Sequence, residues 1–269
     1  MKHKNNFLRP LAPLGLILSL GLSVPGCATT SAEATGATYS DQVEAAYGRA
    51  EQSLARKDYI EAVRRYNTVR NQFPYSQYAA LAELRIGDAY YAQEQYATAI
   101  EQYRSFVQLH PNHDQVVYAY YRIALGFYEQ MPGDWWLIPP SYEKDLTRAR
   151  DAARELRQFL RHFPESEYAA DANRKLGEVR RRMADHEFYV ASFYLKRDNA
   201  RAAAGRLTYL LTHYSGVGLD PQALFLLGRA YLELGEVDKA ITALEDLVEV
   251  HPNSDLADEA RKFLERHRS

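Results

Sequence analysis

Apolar positions along this chain recur at helical spacing, and no stretch alternates as a strand would. Ala240, Leu244 and Leu247 stand at i, i+4 and i+7, one apolar stripe of a helix whose remaining faces are polar. Between such stripes fall four near-identical stops, Phe73-Pro74, His110-Pro111, Phe163-Pro164 and His251-Pro252, because proline cannot continue a helix. Counting back from each proline gives one frame. Alanine lies twelve residues upstream (Ala62, Ala99, Ala152, Ala240) and a large residue eight upstream (Tyr66, Tyr103, Leu156, Leu244). In two copies the frame extends to Gly87 and Gly228, 24 residues before the proline, with Tyr90 and Tyr231 three residues later. A further copy lacks the proline: Ala191, Tyr194, Ala203, Leu207 and Leu210 occupy the matching places, and Ser215-Gly216 must end its helix. The copies begin near Val43, Ala80, Val117, Ala184 and Pro221, and the steps 43 to 80, 80 to 117 and 184 to 221 are each 37 residues. Asp255 to His267 reads as a last, Asp-capped helix closing the stack.

Paired helices with glycine and alanine at close approaches and an aromatic between them resemble the tetratricopeptide repeat. The predicted fold is therefore all-α, an α-solenoid of about five such helix pairs plus a C-terminal capping helix. Two departures interrupt the register. The third copy carries an insertion at about 131–147 that contains Trp135-Trp136-Leu137-Ile138-Pro139-Pro140, and residues 167–183 form a helical, basic stretch before the fourth copy. Repeats one to three then span 43–166, and the extended helix, repeats four and five and the capping helix span 167–269.

The amino terminus carries a different signal. Lys2, Lys4 and Arg9 precede a mostly apolar run from Leu11 to Val24, which leads to Pro25-Gly26-Cys27. This is the order of a secretory signal peptide, residues 1–26. The apolar run is too short for the roughly 20 residues of a spanning helix. Its ending resembles a bacterial lipobox, in which Cys27 becomes the lipidated first residue of the mature chain. Cys27 is the only cysteine, which leaves no internal disulfide and no cysteine nucleophile in the repeats. Residues 27–42 read as a lipidated end and flexible tether through the small, polar Ser31–Thr38.

Charge narrows the function classes. The chain has 33 Lys and Arg against 35 Asp and Glu. Removing residues 1–26 takes three basic groups and no acid, leaving about −5, so bulk charge gives no basis for nucleic-acid binding. No nucleophile elbow, phosphate loop or metalloprotease helix occurs. His110-Pro-Asn-His113-Asp114 sits on a repeat-ending turn with no further ligand cluster, so neither catalysis nor a metal is expected.

Five repeats behind a lipobox, an enlarged third unit and a lengthened helix entering the fourth resemble the BamD family, lipoproteins of the outer-membrane β-barrel assembly machinery. The stretches carrying the resemblance are Phe73-Pro74-Tyr75-Ser76, His110-Pro111-Asn112, Phe163-Pro164-Glu165-Ser166-Glu167-Tyr168, and the run from Lys175-Leu176 through Arg180-Arg181-Arg182 and His186-Glu187-Phe188-Tyr189-Val190-Ala191 to Phe193-Tyr194. The resemblance implies a non-enzymatic scaffold. It would hold the barrel-forming subunit and other lipoproteins of the machinery and help recognise unfolded outer-membrane proteins. It also implies N-acyl and S-diacylglycerol lipid on Cys27 with no other cofactor, and Ala28 in place of Asp suits the periplasmic face of the outer membrane. An alternative is another periplasmic tetratricopeptide adaptor lipoprotein that coordinates envelope or cell-division proteins. Such adaptors usually open with a coiled coil, and residues 28–42 have no heptads.

Candidate sites follow from the faces. In the first helix of each unit, exposed positions on one side give Tyr47, Leu54, Leu81, Leu84, Tyr91, Tyr118, Tyr121, Leu125 and Tyr128, an aromatic concave groove suited to peptide recognition. The same tyrosines could instead pack neighbouring units. Arg174, Lys175, Arg180, Arg181 and Arg182 form a basic cluster, either a solvated face or a contact for an acidic partner. Trp135 and Trp136 either anchor their own loop or are displayed as an interface hot spot.

Overall fold

In the computed structural model, residues 38–132 and 146–267 are described, so Cys27, Trp135 and Trp136 lie outside the described residues. The helices are α1 Tyr39–Ala55, α2 Tyr59–Gln72, α3 Gln77–Ala92, α4 Tyr96–Leu109, α5 Val116–Glu129, α6 Thr147–His162, α7 Ala169–Leu195, α8 Ala200–Tyr214, α9 Asp220–Glu233, α10 Val237–Val250 and α11 Asp255–His267. Among the described residues there is no strand. Each helix packs on the next in chain order, and first helices also meet across units as α1 with α3 and α5 with α7. The result is the expected all-α solenoid. Helix α1 begins four residues before Val43, so the end of the predicted tether is helical. The capping helix matches its predicted span, but its first turn is held by Ser254, whose Oγ accepts the Leu256 N–H at 3.3 Å.

The stops work as the sequence frame requires. Phe73, His110, Phe163 and His251 leave the helix with φ between −128° and −133° and ψ between 51° and 56°, because the following proline ring excludes helical geometry. The turns inside the pairs share another device. Lys57, Glu94, Asp198 and Gly235 all adopt positive φ, from 55° to 73°. The residue after each donates a common bond to the carbonyl five residues before it: Asp58 N–H to Ser53 O, Gln95 N–H to Tyr90 O, Asn199 N–H to Tyr194 O and Glu236 N–H to Tyr231 O, at 2.9 to 3.0 Å.

The frame residues meet in space. A methyl group at Gly87 would lie 2.7 Å from the ring of Tyr103, and one at Gly228 would lie 2.8 Å from the side chain of Leu244. The glycine of the first helix thus makes room for the large residue of the second. Tyr66, Tyr103, Phe106, Phe159, Leu156, Leu207 and Leu247 are fully buried at these crossings.

The fourth unit breaks the pattern. Residues 167–183 do not form a separate element; they run into the fourth repeat as one 27-residue helix, α7, where α5 and α9 have 14. Thirteen extra residues at 1.5 Å each carry α8 about 20 Å along the α7 axis. Consistent with that, Tyr214 at the end of α8 senses Arg150 near the start of α6. The stack therefore consists of two regular blocks joined by a step at α7.

Candidate functional site

The first helices carry a chain of polar contacts from unit to unit. Glu51 of α1 accepts the Tyr66 hydroxyl at 2.7 Å and lies 3.4 Å from Arg85 Nε of α3. That N–H is nevertheless aimed elsewhere and makes no hydrogen bond. Arg85 Nη1 donates to Asp88 Oδ2 at 2.8 Å. Asp88, 9% exposed, also accepts the hydroxyls of Tyr103 at 2.7 Å and Tyr118 at 2.8 Å. Arg122 of α5 completes the cluster: its Nε lies 3.8 Å from Asp88 Oδ1 and donates to the Tyr103 oxygen at 3.1 Å. Its guanidinium covers the Tyr91 ring at 3.6 Å, a cation–π contact.

A second set joins α5 to α7. The Tyr121 hydroxyl donates to Asp171 Oδ2 at 2.5 Å, and its ring stacks on Tyr168 with centroids 4.6 Å apart. Tyr128 donates to Glu178, while Lys175 Nζ sits 4.1 Å from the Tyr128 ring centroid. Arg182 Nη1 donates to the Pro132 carbonyl at 2.8 Å. The partners 121 and 171, 128 and 178, 132 and 182 keep one separation of 50 residues. The two helices therefore run side by side in parallel.

These contacts settle where the candidate groove residues stand. Tyr47 packs on Tyr66 and Tyr78, at centroid distances of 5.7 and 5.0 Å. Burial, followed by the Glu51 carboxylate, pushes its hydroxyl up to about 12. Burial with Glu178 does the same for Tyr128, also to about 12. Tyr118 and Tyr121 are raised by burial and then by Asp88 and Asp171, and Tyr91 chiefly by burial. The hydroxyls of Tyr118, Tyr121 and Tyr128 are thus spent as donors inside the protein; what they can offer a ligand is ring surface and an acceptor oxygen. Leu84 does not belong to the groove. It is 0% exposed, because Ala80 and Leu84, at i and i+4, share the stripe of α3 that faces the core with α4. Leu125 is buried as well.

The basic cluster is likewise committed internally. Arg174 pairs with Asp171 and Glu178. Arg180 Nη2 donates to Ser215 O at 3.1 Å, and Arg181 donates to Asp185 and to Val217 O, at 2.9 and 3.0 Å. These arginines clamp the turn at 215–218, where Gly216 and Gly218 take φ of 82° and 86° in place of the missing proline. With Arg182 and Lys175 bound to α5 and its end, four of the five residues brace the step in the stack, and Arg174 pairs within α7 itself. Helical spacing alone had left them as a surface patch.

Asp88, Arg85 and Arg122 were not among the residues singled out from sequence. The available signal was an aspartate directly after Gly87 in an otherwise apolar run, and an arginine, Arg122, within an aromatic run. Among the described residues no group of three His, Cys, Asp or Glu side chains could hold a metal, and His110 Nε2 lies 2.9 Å from Glu83.

Residues 39–243 match the family model described as YfiO, outer membrane lipoprotein. That match covers α1 through the first half of α10. The chain belongs to the BamD family. Among its relatives are proteins named outer membrane protein assembly factor BamD. The Caulobacter vibrioides protein is 31% identical over 232 residues, covering 86% of this chain and 73% of that one. The Neisseria meningitidis serogroup A protein is 29% identical, covering 82% and 84%. The Xylella fastidiosa 9a5c protein is 27% identical over 262 residues, covering 94% and 87%. The match thus runs through the step at α7 and into α10.

Proposed function

We propose that this chain is a non-enzymatic scaffold of the outer-membrane β-barrel assembly machinery. It is held at the periplasmic face of the outer membrane by lipid on Cys27. Its fourth and fifth repeats hold the barrel-forming subunit, and the concave face of its first three repeats helps recognise unfolded outer-membrane proteins. The observation that carries this reading is its kinship, over most of both chains, with relatives named as outer membrane protein assembly factors. No helix among the described residues is long and apolar enough to cross a membrane, which suits attachment through lipid. The welded tyrosine and arginine surface of α1, α3 and α5 suits recognition of extended, aromatic-rich segments by stacking, at little cost in side-chain ordering.

Depletion of the protein tests the role. Outer-membrane barrel proteins should fall while lipoproteins and periplasmic proteins hold steady; unchanged barrel levels would refute the assignment. Photocrosslinkers in α8 to α10 should capture the barrel-forming subunit, and those replacing Tyr91 or Tyr121 should capture nascent barrel proteins. A Cys27→Ser variant should lose labelling by radioactive palmitate, and continued labelling would sink the anchor.

A further inference from the structure

The step at α7 leaves a helix seat empty of its own helix. In the third unit, α5 starts five residues after Pro111, and the face formed by Val117, Tyr120 and Ala124 packs into the core that α6 shares, with Ala124 1% exposed. Helix α7 starts five residues after Pro164, so Ala170, Asn173 and Gly177 hold the equivalent places. All three are exposed, and a methyl group at Gly177 would meet nothing within 4 Å. The reason is the length of α7. Its own second helix, α8, packs on the far half, where Ala184, Glu187 and Ala191 are buried.

The wall of that seat is α6. Between the second and third units, Arg104, Val107 and Gln108 of α4 face α6 across a cavity of about 490 Å³. Counting from the prolines, Arg157, Leu160 and Arg161 are their equivalents on α6, and they face the place α8 would take in an unbroken stack. Arg157 and Arg161 are exposed, and their side chains form no hydrogen bond or ion pair among the described residues. Arg150 and Arg154 extend the same stripe, at i and i+4, with Arg154 occupied by Asp151 at 2.7 Å. By contrast, Arg174, Arg180, Arg181 and Arg182 of α7 are all engaged, as described above.

We propose that this vacated seat, floored by Ala170, Asn173 and Gly177 and walled by Arg157 and Arg161, receives an acidic helix from a protein partner. Small side chains on the floor admit a helix at the 8–10 Å spacing of packed helices. Two guanidinium forks with no partner among the described residues favour carboxylates at defined positions. A bilayer surface is flat and cannot enter a slot between two helices, which argues for a protein occupant over anionic lipid. The inference rests on the helix register and the free arginines, and stands independently of the assembly role.

The test uses the whole mature chain and a 16-residue stapled helical peptide with alanine and leucine on one face and glutamates on its flanks. A second peptide carries lysine in place of glutamate, and phosphatidylglycerol vesicles form a third arm. Fluorescence anisotropy should show binding of the acidic peptide to wild type and to an Arg49→Glu/Arg56→Glu control of equal charge change. Affinity should fall roughly tenfold or more in Arg157→Glu/Arg161→Glu, as lost interfacial charge pairs require. Gly177→Trp, which fills the seat, should weaken binding similarly; melting curves matching wild type show that each variant folds, and if it does not the arginine variant decides. The proposal falls if the acidic peptide does not bind, binds all variants alike, or binds no better than the lysine peptide. It also falls if Arg157 and Arg161 hold the vesicles instead of the peptide.

Discussion

Replacing Asp88 by alanine should cost more than any exposed charge in this protein. The carboxylate accepts two tyrosine hydroxyls and one arginine N–H within 2.8 Å and lies 3.8 Å from a second guanidinium. Its removal leaves the fully buried Tyr103 hydroxyl without its acceptor and two cations facing each other across the gap. A buried pair broken on one side costs about 3–5 kcal/mol. The side chains of Arg85 and Arg122 are 35% and 19% exposed, so water can recover part of this, and about 2–4 kcal/mol is expected. Asp88→Asn keeps an acceptor for both hydroxyls and should lose about half as much. Urea denaturation measures the loss, and hydrogen exchange should localise it to α3, α4 and α5. The reasoning is refuted if Asp88→Ala costs less than about 1 kcal/mol, the value of an ordinary exposed pair, or if Asp88→Asn and Asp88→Ala cost the same.

Gly87→Ala and Gly177→Ala make the same chemical change with opposite expected signs. The first drives a methyl group into Tyr103 at 2.7 Å, an overpacking cost of about 1–3 kcal/mol, whereas the second meets no atom and gains about 0.5–1 kcal/mol of helix propensity; melting temperatures that shift in one direction for both would contradict the packing account. Glu94→Gly relieves a positive-φ turn that Gly235 fills without strain in the fifth unit, so it should stabilise by up to about 1 kcal/mol, and a loss in denaturation midpoint would show that Glu94 does something else there. Tyr47, Tyr128 and Tyr214 hold their protons up to about 12, with burial the largest cause in each. The folded protein therefore binds protons that the unfolded chain releases near pH 10. Stability should be full below pH 10 and fall as pH rises from there towards 12; absorbance at 295 nm during an alkaline titration should show these rings ionising only as the chain unfolds.

The repeat was readable because its punctuation is chemical. Proline forbids one geometry wherever it stands, and Gly87 and Gly228 sit opposite Tyr103 and Leu244 because no larger residue fits, so spacing alone gave the helix pairs. Leu84 was misplaced for a related reason. The frame marks where a repeat matches, but it does not say which stripe of the helix meets its partner, and Leu84 lies with Ala80 on the stripe that packs against Ala99, Ile100 and Tyr103 of α4. The tyrosines show another limit. Periodicity put Tyr118, Tyr121 and Tyr128 on one face, but their partners Asp88, Asp171 and Glu178 lie 30 to 50 residues away, a distance at which one sequence carries no pairing information.

The role of 167–183 illustrates how one such pairing decides much else. Its composition announced a basic helix, and either a solvated face or a contact for an acidic partner was open. Once Tyr121 meets Asp171 and Tyr128 meets Glu178, the parallel register of α5 and α7 is fixed, and Arg182 must reach Pro132, as it does. The remaining 13 residues to Leu195 then have no counterpart on α5, which places α8 about 20 Å further along. The same length that commits the arginines of α7 to the fold leaves Arg157 and Arg161 of α6 exposed. A deletion of seven residues, about two turns, from α7 would carry α8 about 10 Å back, half the step, so that its end intrudes on the seat beside Arg157, and the acidic peptide should no longer bind to a chain that still folds. Binding that survived such a deletion would show that the seat owes nothing to the step.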